Sequence, residues 1–467
     1  MNCVNRANDV RRMIAAGVAV GVVWAAPPLR AETVTGPCAE LTDPNNAPST
    51  DPRVDHLTID GTPVNVLVPP NYRRGSRHYP VVYLFHGAFS DEDSFSTQTD
   101  LLAYTAGLDE AQQALVVMPA GGYLPIGLDY ADGTQHQETF VFGTLIPFVE
   151  ANYRTRPERA HRAIAGFSAG GLDAMLYAAR HPDMFVAAGS FSGFVDPFTS
   201  VGMQVAQLFA ADDVQLCGGS VDWTSFWGDP AVHPFGWERG DPTYFAANLR
   251  GLALYLGSDN GVPCPDNPNP DPFLVFAEQT VYGMSQALDQ ALTESGVAHV
   301  TDFRACGVHE FSNSNHDLRR FWPMMISAFG RSAPGQFSYR AADAVQSVWG
   351  WTFTADPARA PEFLDLEDAS RSGVKLTGSG TERILTAPLF PPQRLVAVVG
   401  AQSFPQLIRA DAEGTVSFAA DLGPAHSLEE GTPAEVAASG GPSPYFVTRE
   451  VRFVPLASSE GSDEMCN

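Results

Sequence analysis

The stretch Arg162-Ala-Ile-Ala-Gly-Phe-Ser168-Ala-Gly-Gly-Leu-Asp-Ala-Met-Leu-Tyr-Ala-Ala-Arg-His-Pro182 decides the fold. Residues 162–166 read as a short buried strand, and from Gly171 the apolar positions recur at helical spacing until Pro182 stops them. Between the two lies Gly166-Phe167-Ser168-Ala169-Gly170, a G-x-S-x-G pattern. In a strand-to-helix setting this pattern forms a strained turn that presents the serine hydroxyl at the carboxyl edge of a sheet. The glycines are needed because a larger side chain at either flank would collide with strand or helix backbone. A glycine-rich chain produces G-x-S-x-G by chance, so the flanking strand and helix carry the weight here.

Working outward, short apolar runs at residues 79–85, 114–122, 184–193, 252–257 and 299–305 alternate with helical patterns at 136–154 and 276–296. Such alternation predicts a mostly parallel sheet buried on both faces, and with the serine turn it predicts an α/β-hydrolase fold. Near Ser332 the pattern changes to VWGWTFT, RLVAVVGA, TVSFAADLG and YFVTREVRFVPL, separated by Gly, Pro and Asp clusters. These predict a smaller all-β, sandwich-like C-terminal domain. The expected division is a signal peptide at 1–31, an N-terminal arm at 32–53, a catalytic domain at 54–331, a linker at 332–345, the β-sandwich at 346–457 and an acidic tail at 458–467. Trp349 and Trp351 offer the sandwich aromatic surface for a polysaccharide or protein partner, or for packing.

The chain has 467 residues and a formal charge of −25, from 28 Lys and Arg against 53 Asp and Glu. Nucleic-acid binding requires clustered basic residues and is excluded on this count. Arg6, Arg11 and Arg12 precede an apolar run from Met13 to Ala26, too short for a membrane span, which predicts export. An oxidising destination makes disulfides permissible. Cys264 and Cys306 follow neighbouring late strands and are expected to pair. Cys38, Cys217 and Cys466 complete an odd set. Asp266, Asn267, Asn269 and Asp271 have the spacing of oxygen ligands, but a Pro-rich loop uses such residues for turns, and that reading is preferred to Ca²⁺.

A serine nucleophile needs a base, an acid and an oxyanion hole, with chain order Ser, acid, His in this fold. The Ala169 N–H is one expected oxyanion donor. His86-Gly87-Ala88-Phe89 follows the strand at 79–85, which makes the Ala88 N–H the second and His86 a loop-shaping residue. His309, a short turn after the strand at 299–305, is preferred as base over His316, which begins a helix. For the acid, Asp259 has the ordinary position after a late strand, although Ser-Asp-Asn-Gly is also turn chemistry; Glu278 lies in the following helix.

Residues 54–330 resemble the antigen 85 and mycolyltransferase branch of the esterase D-like family. The matching pieces are VVMPAGG, QETFVFGTLIPFVEANYR, GFSAGG, FSGFVDP, FWGDP with ERGDP, and GVHEFSNSNHDLRRFWP, in the family's order. The resemblance implies Glu278 as acid and His309 as base. It implies a serine esterase acting on esters or acyl lipids without metal or cofactor, or an acyltransferase passing the chain to a sugar or glycerolipid hydroxyl. The family's Asp-Gly, large apolar residue and Arg before the oxyanion turn are replaced by His86-Gly87-Ala88-Phe89, and its Trp after the His gives way to Glu310-Phe311. His86, Phe89 and Phe311 are therefore the expected substrate-facing differences, and trehalose is not implied.

Overall fold

In the computed structural model residues 47–121, 126–207, 223–439 and 446–456 are described. The signal peptide, most of the N-terminal arm, the acidic tail, Cys38, Cys217 and Cys466 lie outside them. A hairpin opens the fold: β1 (Val54–Ile59) and β2 (Thr62–Leu67) pair with Ile59 opposite Thr62. Asp60 and Gly61 both adopt positive φ, 50° and 83°, as a two-residue turn matched to strand twist requires.

Six further strands complete the sheet: β3 (Val81–Phe85), β4 (Leu115–Pro119), β5 (Arg162–Phe167), β6 (Ala187–Phe191), β7 (Ala253–Ser258) and β8 (Val300–Phe303). Their order is β1-β2-β4-β3-β5-β6-β7-β8, parallel from β4 to β8. The order reverses direction around β3 and β5. Ligand crevices form at such reversals, beyond the carboxyl ends of the strands. Along β3, Val81, Tyr83 and Phe85 face one apolar cluster while Val82 and Leu84 face the other, so both sheet faces are buried. Helices α1 (Ala169–Arg180) and α2 (Pro272–Glu294) pack into the first cluster and α3 (Ser314–Ala328) into the second.

Ten antiparallel strands follow in two sheets: β9 (Phe337–Ala341), β10 (Val345–Val348), β11 (Trp351–Thr354), β12 (Leu364–Ser370), β13 (Gly373–Gly378), β14 (Thr381–Leu385), β15 (Leu395–Val399), β16 (Gln406–Arg409), β17 (Ser417–Asp421) and β18 (Val447–Pro455). The orders are β10-β11-β14-β17 and β16-β15-β18-β13-β12-β9. The sandwich therefore begins earlier than composition indicates: β9 and the start of β10 fall within 332–345, expected as linker. Polar side chains on β9, such as Arg340, obscure a strand that pairs with β12 through Leu364–Ala341 and Leu366–Tyr339. Trp351 is 2% exposed and belongs to the sandwich core. Trp349 is covered by the Arg159 guanidinium, 4.9 Å from its ring centroid, and donates its backbone N–H to Asp183 of the hydrolase domain. Trp351 thus serves packing, and the half-buried Trp349 takes part in the domain contact.

Inside the sandwich one cation serves two buried carboxylates. Arg359 Nη1 lies 2.7 Å from Glu382 Oε1 and 3.4 Å from Glu362 Oε1. Glu362 is further satisfied by Ser379 and His426, whereas burial pushes the Glu382 pKa from 4.5 up to about 7. A folded-state pKa above the unfolded value means the native state holds the extra proton, so stability is lost as pH rises from 4.5 towards 7. Glu382→Gln is expected to raise stability at pH 8 by about 2 kcal/mol and to change it little at pH 4. Thermal melts at the two pH values check this.

Candidate active site

Ser168 links β5 to α1 with φ 56° and ψ −119°, a backbone region costly for any residue but glycine. The turn closes only because its neighbours lack side chains. A Cβ on Gly166 would lie 2.1 Å from the Gly170 carbonyl oxygen, and one on Gly170 would lie 2.3 Å from the Phe85 and His86 oxygens. The ends of β3 and β5 and the first turn of α1 thus meet at van der Waals distance beneath the serine. Phe85 pairs with Gly166 across the reversal, so the turn after β3 stands beside the serine turn. It carries Ala88, and neither the Ala88 nor the Ala169 amide is taken up by a backbone acceptor among the described residues.

His309 reaches this edge from the loop after β8. Its Nε2 lies 2.8 Å from Ser168 Oγ and its Nδ1 2.7 Å from Glu278 Oε2. Glu278 stands on the second turn of α2, a helix started by Asp271, whose carboxylate accepts from the Phe273 N–H with Pro272 at the first helical position. Glu278 is fully buried, and its Oε1 accepts from Ser192 Oγ, Ser258 Oγ and the Asp259 N–H at 2.7, 2.9 and 2.7 Å. Burial alone would raise its pKa; hydrogen bonds from His309, Ser192 and Ser258 outweigh that and hold it below the usual carboxylate range. An ionised Glu278 accepts the Nδ1 proton, which leaves Nε2 free to accept from the serine hydroxyl. Phe167 stacks on the imidazole with centroids 4.7 Å apart and planes 25° apart.

The other candidates are placed elsewhere. Asp259, the alternative acid, is turned away from His309: it accepts from Arg304 at 2.6 and 3.1 Å and from Asn313 at 3.0 Å. Arg304 also grips Asp317, and Asn313 holds the Val308 carbonyl, so these ions brace the His309 loop from below. His316 pairs with Asp302 at 2.9 Å on the surface. His86 and Phe311, expected among the substrate-facing differences, are both buried. His86 is 2% exposed, accepts from the Gly121 N–H and donates to the Gly87 carbonyl, and burial lowers its pKa, so it clasps the turn after β3. Phe311 is 9% exposed and packs between Phe95 and Phe167, below the imidazole. Phe89 stays half-buried in that turn with φ 61°. In the loop after β7, Asp271 is spent as helix cap and Asn267 donates to Glu310. Sequence reasoning missed Ser192, Ser258 and Arg304, because no spacing rule ties a residue after β6 or at the end of β7 to a carboxylate on α2, or one after β8 to Asp259 and to Asp317 on α3.

The fold and this edge define an α/β-hydrolase-type protein. The chain belongs to the esterase family described as "Putative esterase", which matches residues 59–322. It is 39% identical over 246 residues to Esterase Rv1288 of Mycobacterium tuberculosis (strain H37Rv), a match covering 50% of each chain. It is 26% identical over 297 residues to the diacylglycerol acyltransferase/mycolyltransferase Ag85B of Mycobacterium avium, covering 60% of this chain and 85% of that one. Among solved structures, MPT51 (FbpC1) of Mycobacterium tuberculosis matches with a TM-score of 0.49 and 24% identity over 59% of this chain and 98% of that one. The chain lies on the antigen 85-like branch of the family. It spans about half the length of the esterases it matches at 39% identity.

Cys264 and Cys306 form a disulfide between the loops after β7 and β8. The same loops are joined by the Gly307 N–H on the Val262 carbonyl, two residues from His309. Cross-links act mainly by restricting the unfolded chain, and a sequence separation of 42 corresponds to about 4 kcal/mol. Cys264→Ser is expected to lower stability by up to that amount, and non-reducing peptide maps should recover the two cysteines in one linked peptide.

Proposed function

We propose that the chain is a carboxylic-ester hydrolase working through an acyl-enzyme on Ser168. The single observation that supports this most is the unbroken hydrogen-bond relay Ser168–His309–Glu278 at 2.8 and 2.7 Å. Nε2 takes the hydroxyl proton as Oγ attacks the ester carbonyl, and the imidazolium returns that proton to the leaving alkoxide. Glu278 stays ionised, holds the imidazole tautomer and offsets the imidazolium charge. The carbonyl oxygen, now anionic, accepts from the Ala88 and Ala169 N–H groups, and the amino terminus of α1 adds its positive dipole end. Water then attacks the acyl-enzyme by the same proton relay in reverse.

Acyl transfer to a sugar or glycerolipid hydroxyl is the second reading, favoured by the likeness to Ag85B. It uses the same acyl-enzyme and differs only in the acceptor. Phe89 offers no side-chain donor for a sugar hydroxyl, which favours water. We also propose that the protein is exported: the basic and apolar start of the sequence and the Cys264–Cys306 disulfide both support it.

Ser168→Ala should remove p-nitrophenyl butyrate turnover while preserving the thermal melt. Glu278→Gln should lower kcat by about three to four decades through loss of tautomer and charge control. Asp259→Asn should lower stability by about 3 kcal/mol, by weakening the brace on Arg304, with kcat per folded molecule within about tenfold of wild type. Steady-state kinetics together with melts decide these; a fully active Ser168→Ala would refute the proposal.

A further inference from the structure

We infer that the β-sandwich is a fixed wall of the catalytic unit, with Phe363 as a positioning residue for the site around Ser168. This rests on the esterase reading above. Phe363 lies in the loop between β11 and β12 yet is buried in the hydrolase cluster and not in the sandwich core. Its ring centroid is 4.8 Å from Phe235, 5.6 Å from Phe245 and 6.1 Å from Tyr244, and the Arg340 guanidinium covers it at 5.0 Å. Phe235, Tyr244 and Phe245 belong to the crossover between β6 and β7. Glu429 of the sandwich reinforces the contact, accepting from the Phe235 N–H at 3.3 Å and meeting His233 Nδ1 at 3.1 Å.

The grip extends to the helix that begins after the serine and to the segment after β6. Tyr339 on β9 donates its hydroxyl to the Arg180 carbonyl at 2.6 Å, at the carboxyl end of the helix whose amino end begins after Ser168. Asn248 bridges α1 and β9, donating to the Ala179 and Arg340 carbonyls at 3.0 Å each and accepting from the Arg340 N–H at 2.7 Å. From the crossover the path runs on through the Asp241 carboxylate. That group caps the turn Pro242–Leu249 and accepts from the Phe198 N–H at 3.2 Å. The segment between Ser192 and Phe198 ends against the site: the Phe194 N–H donates to the Ser168 carbonyl at 3.0 Å and Ser192 Oγ donates to Glu278. Phe363, Phe235, Phe245, Asn248, Asp241 and Tyr339 are all buried along these links, and packed interiors transmit displacement.

Truncating Phe363 opens a cavity that the crossover can fill only by moving, and small displacements of reacting groups cost rate. The test measures p-nitrophenyl butyrate hydrolysis by the full chain per site titrated with a fluorophosphonate, so that unfolded molecules do not count. Phe363→Ala should lower kcat/KM per titrated site about tenfold, and Phe363→Leu should restore most of it. Val396→Ala, a core truncation within the sandwich away from this contact, should lower the melting temperature with kcat/KM per titrated site unchanged. If Phe363→Ala does not fold, Glu429→Gln reads the same contact more gently and should lower kcat/KM per titrated site about threefold. Wild-type kcat/KM per titrated site in Phe363→Ala, or in Glu429→Gln when the former does not fold, overturns the inference. Failure of the esterase reading would appear separately, as wild-type chain that neither titrates with fluorophosphonate nor turns over.

Discussion

A serine backbone held at positive φ is the constraint on which the rest of this structure depends. The conformation costs about 1–3 kcal/mol and persists only if its surroundings leave no alternative. Here β3, β5 and α1 approach so closely that Gly166 and Gly170 admit no Cβ. That approach fixes the Ala88 turn beside the Ala169 amide, and the reversal of strand order at β3 and β5 leaves the carboxyl edge open above them. The strain is borne by the most buried part of the molecule, where α1 is buried along its whole length.

A second requirement is a carboxylate that stays ionised without water. Glu278 is fully buried, and three donors on one oxygen together with the imidazole on the other replace its hydration. Those donors come from the ends of β6 and β7, so the sheet that positions the serine also sets the charge state of its distant partner. Ser192 takes φ 45° to reach it, a second strained serine in the same site. Below the imidazole, Phe167 stacks on the ring and Phe311 and Phe95 continue the contact at tilted and edge-on angles, and Arg304 ties Asp259 to Asp317 beneath the loop. The histidine is thus restrained by packing on one face and by ions and a disulfide at its loop ends.

The C-terminal sandwich extends the same logic. It has an apolar cluster of its own, yet β9 and the Phe363 loop are committed to the hydrolase domain. The polar bridge through Asn248 and the ion cluster of Arg180 with Glu138 and Asp343 make this contact specific in orientation, since each partner would be costly to leave unpaired.

The sequence by itself determined the serine turn, the parallel sheet and the β-rich C-terminal region, because strand and helix periodicity and glycine sterics are local properties of the chain. It also supplied His309 and Ala88 as candidates, through their positions just after strands. Position after a late strand by itself slightly preferred Asp259 as acid; resemblance moved the choice to Glu278, and the tertiary structure puts the Glu278 carboxylate on the imidazole while Arg304 and Asn313 occupy Asp259. The sequence offered His86 as loop-shaping and also, with Phe311, among the substrate-facing differences; both are buried, one clasping its own turn and the other in the core, and it read β9 as linker. These matters depend on which side chains meet from strands and helices far apart in the chain. Local pattern records what a residue can do, and only packing decides which partner it finds.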